Sequence, residues 1–176
     1  MSGFFTALDE SLPSVAPASV LEVGAGEGEV AVRVRQRFPD ASLRILDLPD
    51  DDLRSHWRQL DLAGTFGSVE DLPFPDQSFD LVLGIEMLEH VPDPTRALEE
   101  LHRVCRGHAV FSVPREPIWR ILNMGRGKYL RDLGNTPGHI QHWSSKRFAD
   151  AVGERFHVDA VRTPLPWTMV AASATH

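Results

Sequence analysis

The 176-residue sequence has little of several features that define whole classes of protein. It has one cysteine, Cys105, which excludes an internal disulfide and fits a reducing compartment. It has fewer basic residues (18) than acidic ones (25), and the net charge of −7 disfavours nucleic acid as a partner. No basic-then-apolar leader opens the chain, and no apolar run approaches the roughly 20 residues of a membrane-spanning helix. We therefore expect a cytoplasmic protein, with peripheral membrane contact as an open alternative.

The composition favours one globular domain over residues 1–176. The chain is 42% hydrophobic and 24% charged, which is enough apolar material for a sizeable core. No internal repeat, low-complexity segment or linker divides it.

The most informative stretch is residues 20–31, with the sequence VLEVGAGEGEVA. Its first four residues predict a short strand, and apolar residues from Val30 to Phe38 follow at helical spacing. Glycines at positions 24, 26 and 28 can take positive φ angles and let a ligand approach the backbone closely. The first N–H groups of the helix have no partner within it and can serve a polar ligand. The stretch therefore predicts a nucleotide site between a strand and a helix.

The acids around this turn distinguish between classes of nucleotide. The dinucleotide fingerprint Gly-x-Gly-x-x-Gly would place its third glycine at position 29, where the chain has Glu29. Glu27 and Glu29 would also repel a pyrophosphate, whereas a ligand with an amino group and a sulfonium would not be repelled. The turn favours a cationic ligand, and a nucleotide-dependent oxidoreductase is the less favoured alternative.

With Glu22, Gly24, Gly26 and Gly28, the turn resembles the first motif of class I S-adenosylmethionine-dependent methyltransferases, which is acid-x-Gly-x-Gly-x-Gly at the end of the first strand. The fold expected is α/β, a three-layer sandwich with a Rossmann-like, seven-stranded, mostly parallel sheet whose last strand is antiparallel. The alternation of predicted strands and helices, with a closing strand pair at 156–161 and 167–172, favours the same architecture. The resemblance implies S-adenosylmethionine as the cofactor.

The resemblance also implies which residues contact the methyl donor. Asp47 ends the second predicted strand about 20 residues after the glycine turn, where an acid can accept hydrogen bonds from a ribose diol. The alternative, a helix cap or a solvated acid, suits Asp50, Asp51 and Asp52 better. The implied contacts are Glu22, Gly24, Ala25 and Gly26 at the methionine end, Asp47 and Leu48 at the ribose and adenine edge, Ser68 and Val69 at the adenine, and the Ile85 carbonyl at the amino group.

The segment 71–80, DLPFPDQSFD, looks like the one that joins the third and fourth strands in methyltransferases of the ubiquinone and menaquinone type. In those proteins an Asp after the preceding glycine usually meets the adenine amino group. Here Ser68 stands at that position, and its hydroxyl is a shorter, neutral partner. The backbone contact implied for Val69 is unaffected.

The sequence Glu86-Met-Leu-Glu-His90 follows the fourth predicted strand, residues 81–85. If this segment turns helically, Glu86, Glu89 and His90 converge on one face. Such a trio, with a later histidine, resembles the magnesium-linked site of some methyltransferases. In the alternative interpretation the segment only shapes the active-site floor, with His90 as a polar group or base facing the acceptor. The sequence leaves a metal open.

An insertion at about residues 114–147 carries most of the positive charge. It has seven basic and two acidic residues, a net charge of +5, so that the remainder of the chain carries −12. Apolar residues are interleaved with the basic ones, which suits a segment that lies on an anionic membrane surface or closes over an anionic, partly apolar acceptor. The alternative is a solvated basic helix face packed over the sheet.

Two histidines near the end of this insertion are candidate acceptor-side groups. The pKa of an imidazole lies near neutrality, so His139 or His142 could take a proton from a hydroxyl or amine. Either could instead be a structural hydrogen bonder or a metal ligand. The candidate catalytic residues are therefore His90, His139 and His142.

The function expected from the resemblance is methyl transfer from S-adenosylmethionine to an oxygen, carbon or nitrogen atom of a small-molecule or lipid-linked acceptor. The alternative is a non-catalytic module that binds the donor or acts as a scaffold, because residues 4–12 predict only a short helical lid.

Overall fold

A seven-stranded sheet runs through the structure, a computed structural model that describes residues 2–126, 136 and 138–175. The strands lie in the order β3-β2-β1-β4-β5-β7-β6. Strand β7 is antiparallel to both of its neighbours, and the other pairings are parallel. The predicted mostly parallel sheet with an antiparallel last strand is confirmed. The strands are β1 (Ser19–Val23), β2 (Ser42–Asp47), β3 (Gly64–Phe66), β4 (Phe79–Ile85), β5 (Cys105–Pro114), β6 (Phe156–Arg162) and β7 (Trp167–Ala174).

Helices cover both faces of the sheet. Leu81 and Val82 are neighbours on β4, yet they belong to separate core clusters because successive strand residues point to opposite faces. The cluster around Leu81 includes residues of α1 and α2, and the cluster around Val82 includes residues of α4 and α6. The predicted three-layer sandwich is therefore confirmed. In the described ranges the helices are α1 (Ser2–Ser11), α2 (Glu29–Arg37), α3 (Asp51–Gln59), α4 (Pro94–Val104), α5 (Ile118–Gly125) and α6 (Ser145–Gly153).

Side-chain caps set where several helices begin. The Asp50 carboxylate accepts hydrogen bonds from the backbone N–H groups of Asp52 and Leu53, at 2.8 and 3.0 Å. Asp93 caps α4 in the same way, with Pro94 at the first helical position. The cap of α3 is thus Asp50 and not Asp47, which is the last residue of β2.

Strands β1, β2 and β4 are parallel, so their carboxyl ends meet at one edge. Residues 24–28, 48–50, 67–71 and 86–93 all leave the sheet there. Open α/β sheets bind ligands at this edge, outside the carboxyl ends of the strands.

Part of the basic insertion falls within α5. Lys128, Arg131 and Asp132 lie outside the described residues, as do the apolar Tyr129, Leu130 and Leu133. Among the helices that the structure does describe, none has both the length and the apolar character to span a bilayer.

Candidate active site

The glycine corner between β1 and α2 has the backbone that its sequence predicts. Gly24, Gly26 and Gly28 have φ angles of +73°, +49° and +85°. The Gly24 N–H donates to the Leu46 carbonyl oxygen at 2.8 Å, which ties the corner to β2. A Cβ atom on Gly24 would lie 2.5 Å from Cγ of Met87, so no side chain fits there. The corner therefore brings bare backbone to the open edge of the sheet.

Glu22 lies just before this corner with its side chain buried. It is only 2% exposed, and its Oε2 atom has no hydrogen-bond partner among the described residues. Burial, with the nearby charge of Asp47, raises the pKa of the Glu22 carboxyl to about 8. A buried carboxyl oxygen without a partner is costly, and a donor group or cation on a ligand would relieve this cost.

Asp47 faces the glycine corner from the end of β2. Its Oδ2 atom accepts a hydrogen bond from the Gly26 N–H at 2.7 Å, and Oδ1 accepts one from the Leu48 N–H at 2.7 Å. Each oxygen keeps a second lone pair for a ligand. The neighbouring Leu48 side chain is 63% exposed, which is high for a leucine and leaves an apolar surface beside the carboxylate.

The segment after β3 brings Ser68 and Val69 to the same edge. The Gly67 N–H donates to the Asp47 carbonyl at 3.0 Å, so this segment is tied to β2. The Ser68 hydroxyl already accepts a hydrogen bond from the Glu70 N–H at 3.1 Å, which organises the local turn. The Val69 side chain is buried.

Two open spaces meet at this edge of the sheet. A groove of about 500 Å³ is lined by Asp47, Leu48, Ser68 and Val69, among others. A cavity of about 300 Å³ is lined by Glu22, Ala25 and Ile85, among others. Gly24 and Glu86 line both. Every residue predicted to contact the methyl donor, except Gly26, thus lines one of the two spaces. The Gly26 N–H instead donates a hydrogen bond to the Asp47 carboxylate.

Residues 86–90 do not form a helical turn, which is the condition for one of the two interpretations of this segment. Glu86 has a φ of +55°, and its N–H donates to the Ser112 carbonyl at 3.0 Å, which holds the backbone against β5. The Glu86 carboxyl turns toward β7, where Oε2 accepts a hydrogen bond from Nε1 of Trp167 at 2.6 Å. Glu86, Glu89 and His90 therefore do not share one helical face, and the conditional interpretation that depends on a helical turn does not apply.

A different trio converges instead. One potential ligand atom each from Glu89, His90 and His139 lie within 4.8 Å of one another. Nδ1 of His90 lies 2.9 Å from the Gly138 carbonyl oxygen, so the tautomer that donates there leaves Nε2 free to accept. Oε2 of Glu89 is buried with no hydrogen-bond partner in the described chain. Burial raises the pKa of both Glu86 and Glu89.

The three candidate histidines occupy different environments. His90 is exposed and lines the groove. His139 is buried, with its ring centroid 4.9 Å from that of His90, and burial lowers its pKa to about 4. His142 is exposed and lines neither of the two spaces. The structure therefore brings His90 and His139 together and leaves His142 on the surface.

The sequence predicts Phe4 and Phe5 only as part of a short helical lid and does not indicate Trp167 as a cavity residue. Phe4 and Phe5 come from α1, and Trp167 comes from the first position of β7. The rings of Phe4 and Trp167 are 5.1 Å apart and close one side of the cavity. These residues are far from the glycine corner in sequence, and only the position of β7 between β5 and β6 brings Trp167 near it.

Comparisons with known proteins agree with this geometry. Residues 21–113 match the family described as a methyltransferase domain. The chain is 38% identical over 95 residues to a fatty-acid O-methyltransferase from Mycolicibacterium smegmatis, covering 52% of this chain and 35% of the relative. It is 31% identical over 105 residues to the ubiquinone/menaquinone biosynthesis C-methyltransferase UbiE from Rickettsia bellii, covering 53% of this chain and 42% of the relative. The chain thus spans well under half the length of these curated relatives.

A solved structure shares the whole fold. An S-adenosylmethionine-dependent methyltransferase from Aquifex aeolicus superposes with a TM-score of 0.76 at 16% identity, over 97% of this chain and 89% of that one. The family match covers the glycine corner, Asp47, Ser68 and the end of β4. The chain belongs to the methyltransferase domain family.

Proposed function

We propose that the chain transfers a methyl group from S-adenosylmethionine to a small-molecule or lipid-linked acceptor. The observation that supports this best is Glu22, a buried carboxyl with an unpartnered oxygen among the described residues, on the wall of a cavity beside the glycine corner. A ligand ammonium at this position would satisfy the carboxyl.

The proposed donor site follows the two open spaces. The cavity takes the methionine end of the donor, and the groove takes the ribose and adenine. The residues proposed for these contacts are Glu22, Gly24, Ala25 and Gly26 at the methionine end, Asp47 and Leu48 at the ribose and adenine edge, Ser68 and Val69 at the adenine, and the carbonyl of Ile85 at the amino group.

In this proposal the residues of the chain mainly bind and orient the two substrates. S-adenosylmethionine supplies a methyl carbon that its sulfonium already activates. The site must hold the acceptor in line with that carbon and exclude water, since positioning accounts for much of the rate. Glu86 and Gly24 border both spaces, so the junction between donor and acceptor lies beside them. His90 and His139 are the proposed acceptor-facing polar groups, and His142 stays a prediction without support from its position.

A divalent metal at Glu89, His90 and His139 is a second proposal for the same site. The residues fit a cation, because a buried carboxyl oxygen without a partner in the described chain and two imidazoles come within 4.8 Å. One carboxylate and two imidazoles suit zinc, manganese or iron better than magnesium. Such an ion would place positive charge near an acceptor hydroxyl and favour its ionised form.

The metal proposal is tested by adding Mn²⁺ or Zn²⁺ to chain treated with a chelator. Thermal unfolding should shift to a higher temperature with the metal, and Glu89→Gln should abolish the shift while the exposed Glu154→Gln retains it. Equal responses of both variants would exclude this site.

Calorimetry tests the donor proposal directly. S-adenosylhomocysteine should bind and NAD should not, and Asp47→Ala should weaken S-adenosylhomocysteine binding at least about tenfold through loss of its ribose contacts. Unchanged affinity in that variant would contradict the role given to Asp47. Asp40→Asn, in the turn between α2 and β2, is the matched control.

Label transfer separates an enzyme from a binding module. Cell-extract fractions, lipid and aqueous, are incubated with the chain and methyl-labelled donor. Label in one fraction supports methyl transfer and narrows the acceptor class. Tight donor binding with no transfer to either fraction would favour the non-catalytic module.

A further inference from the structure

The methionine end of the donor is proposed to occupy the Glu22 side of the 300 Å³ cavity, so the side chains on its Glu86 side narrow the class of acceptor. Three aromatic side chains line it, those of Phe4, Phe5 and Trp167. Four carboxyl side chains also line it, those of Glu22, Glu27, Glu29 and Glu86. No lysine, arginine or histidine is among the lining residues that the structure describes.

The positive charge of the Arg33 guanidinium, which stacks on this aromatic wall, is already balanced by a carboxylate outside the cavity. Arg33 lies over the Phe5 ring, 5.0 Å from its centroid. The same guanidinium forms an ion pair with Asp9 through two of its nitrogens. Its charge therefore does little to offset the acids of the cavity.

The acceptor end of the cavity is held in place by hydrogen bonds. Oε2 of Glu86 accepts from Nε1 of Trp167 at 2.6 Å, and Oε1 lies 3.4 Å from the Ser112 hydroxyl. The Trp167 ring packs against Phe4 and Trp119, with centroids 5.1 and 5.9 Å away. Glu86 thus presents a fixed carboxyl, backed by aromatic rings, at the junction of the two spaces.

Carboxylates and aromatic faces attract cations and repel anions. We propose that the reacting group of the acceptor is an amine, bound between Glu86 and the aromatic wall. This rests on the proposed methyl transfer and specifies its substrate class. A carboxylate, such as that of a fatty acid, would have to enter against the acidic lining.

The charge balance of the reaction favours the same choice. The acceptor binds as an ammonium ion and first gives one proton to the Glu86 carboxylate. The lone pair of the resulting neutral amine nitrogen then forms the new N–C bond, and the S–C bond breaks with its electron pair going to sulfur. The products are a methylammonium ion and neutral S-adenosylhomocysteine, and no proton leaves in this step. One positive charge moves from sulfur to nitrogen and stays within the acidic cavity, where it is stabilised throughout.

Two probes of matched shape test the proposal, 2-phenylethylamine and 3-phenylpropionate, which differ in the sign of the end group. S-adenosylhomocysteine is first shown to bind the full chain, and each probe is then titrated calorimetrically into that complex. The amine should bind at least about tenfold more tightly than the carboxylate. With methyl-labelled donor, it should also be the better methyl acceptor.

Glu86→Gln should weaken binding of the amine about tenfold and leave that of the carboxylate unchanged or improved. Glu154→Gln, an exposed acid outside both spaces, should leave both affinities unchanged. Equal or better binding of the carboxylate by the unaltered chain, or no binding of either probe to a chain that binds S-adenosylhomocysteine, overturns the proposal. A chain that does not bind S-adenosylhomocysteine contradicts the proposed function instead.

Discussion

At the scale of single residues, the two acids of the proposed donor site, Glu22 and Asp47, differ in how their oxygens are hydrogen-bonded. Asp47 accepts two backbone hydrogen bonds, whereas Oε2 of the buried Glu22 has no partner in the described part of the chain. The protonated form of Glu22 is therefore favoured in the folded chain. Its ionised form needs a cation, which ties the charge of this residue to ligand binding.

This difference predicts a pH-dependent stability. The folded-state pKa of Glu22, about 8, lies above its unfolded value, so its stabilising contribution is complete below about pH 4.5 and is lost as the pH rises toward 8. Over that window the free energy of unfolding should fall by up to about 1.4 kcal/mol per pH unit from this group. Glu22→Gln should remove that slope in denaturant titrations, and Glu154→Gln should retain it. Parallel profiles for Glu22→Gln and the unaltered chain would be the contrary result.

Alanine substitutions at two glycines of the corner should lower the free energy of unfolding by different amounts. Alanine at Gly24 meets Met87 and must adopt a positive φ, whereas alanine at Gly26 has open space and only the backbone strain. We expect Gly26→Ala to lower the free energy of unfolding by about 1 kcal/mol and Gly24→Ala by about 3 kcal/mol. Gly153→Ala, at the end of α6 and with only ordinary contacts, should change it by less than about 0.5 kcal/mol. Equal losses at Gly24 and Gly26 in urea unfolding would show that the clash is relieved by movement of Met87.

At the scale of elements, α4 anchors the segment after β3 that lines the groove on the side proposed for adenine. Glu100 is buried on α4, and its carboxylate accepts hydrogen bonds from the Leu72 N–H and from Arg103, at 2.7–2.9 Å. The Arg103 guanidinium in turn donates to the carbonyls of Leu72 and Phe74. The long segment between β3 and β4 is thus anchored to a helix rather than to a strand.

Glu100→Gln should therefore destabilise the chain by about 2 kcal/mol, since it weakens charged hydrogen bonds in a buried position. Arg103 also pairs with Asp76, whose side chain is 76% exposed, and Asp76→Asn should cost no more than about 0.5 kcal/mol. Thermal and urea unfolding measure both variants. If Asp76→Asn lowered the stability as much as Glu100→Gln, the buried Glu100 carboxylate would not be the main anchor of this segment.

At this scale, the sequence predicts the elements that depend on local spacing and leaves the conformation of residues 86–90 open. The strand, glycine turn and helix of residues 19–37 depend on local spacing, and the structure has them where the sequence predicts. The segment 86–90 depends instead on Ser112 and Trp167, which lie 26 and 81 residues from Glu86. A helical spacing of acids cannot reveal partners that only the sheet order supplies.

At the scale of the whole molecule, the mostly parallel sheet with its antiparallel last strand followed from the resemblance, and the distribution of charge followed from the sequence alone. The insertion at 114–147 carries +5 in a chain of net charge −7. In its described part, Ile121 and Ile140 are 57% and 53% exposed, with Arg120 and Arg126 nearby in sequence. Exposed apolar and basic residues together support the proposal of contact with an anionic membrane surface.

That proposal predicts binding to vesicles of phosphatidylglycerol and not to vesicles of phosphatidylcholine, with binding lost in high salt. Ile121→Glu should reduce cosedimentation with the anionic vesicles. Val15→Glu alters an apolar residue that is 80% exposed outside the insertion, and it should not reduce cosedimentation. Equal effects of the two substitutions would place the contact elsewhere.

The hydrogen bond between the Trp167 indole and the Glu86 carboxyl also gives the molecule an internal optical reporter. The emission of an indole depends on the charge and polarity at its N–H, and this N–H points to the junction of both open spaces. A ligand that fills either space should therefore change the emission of Trp167, and stopped-flow fluorescence of a variant that keeps only this one of the four tryptophans would time its entry.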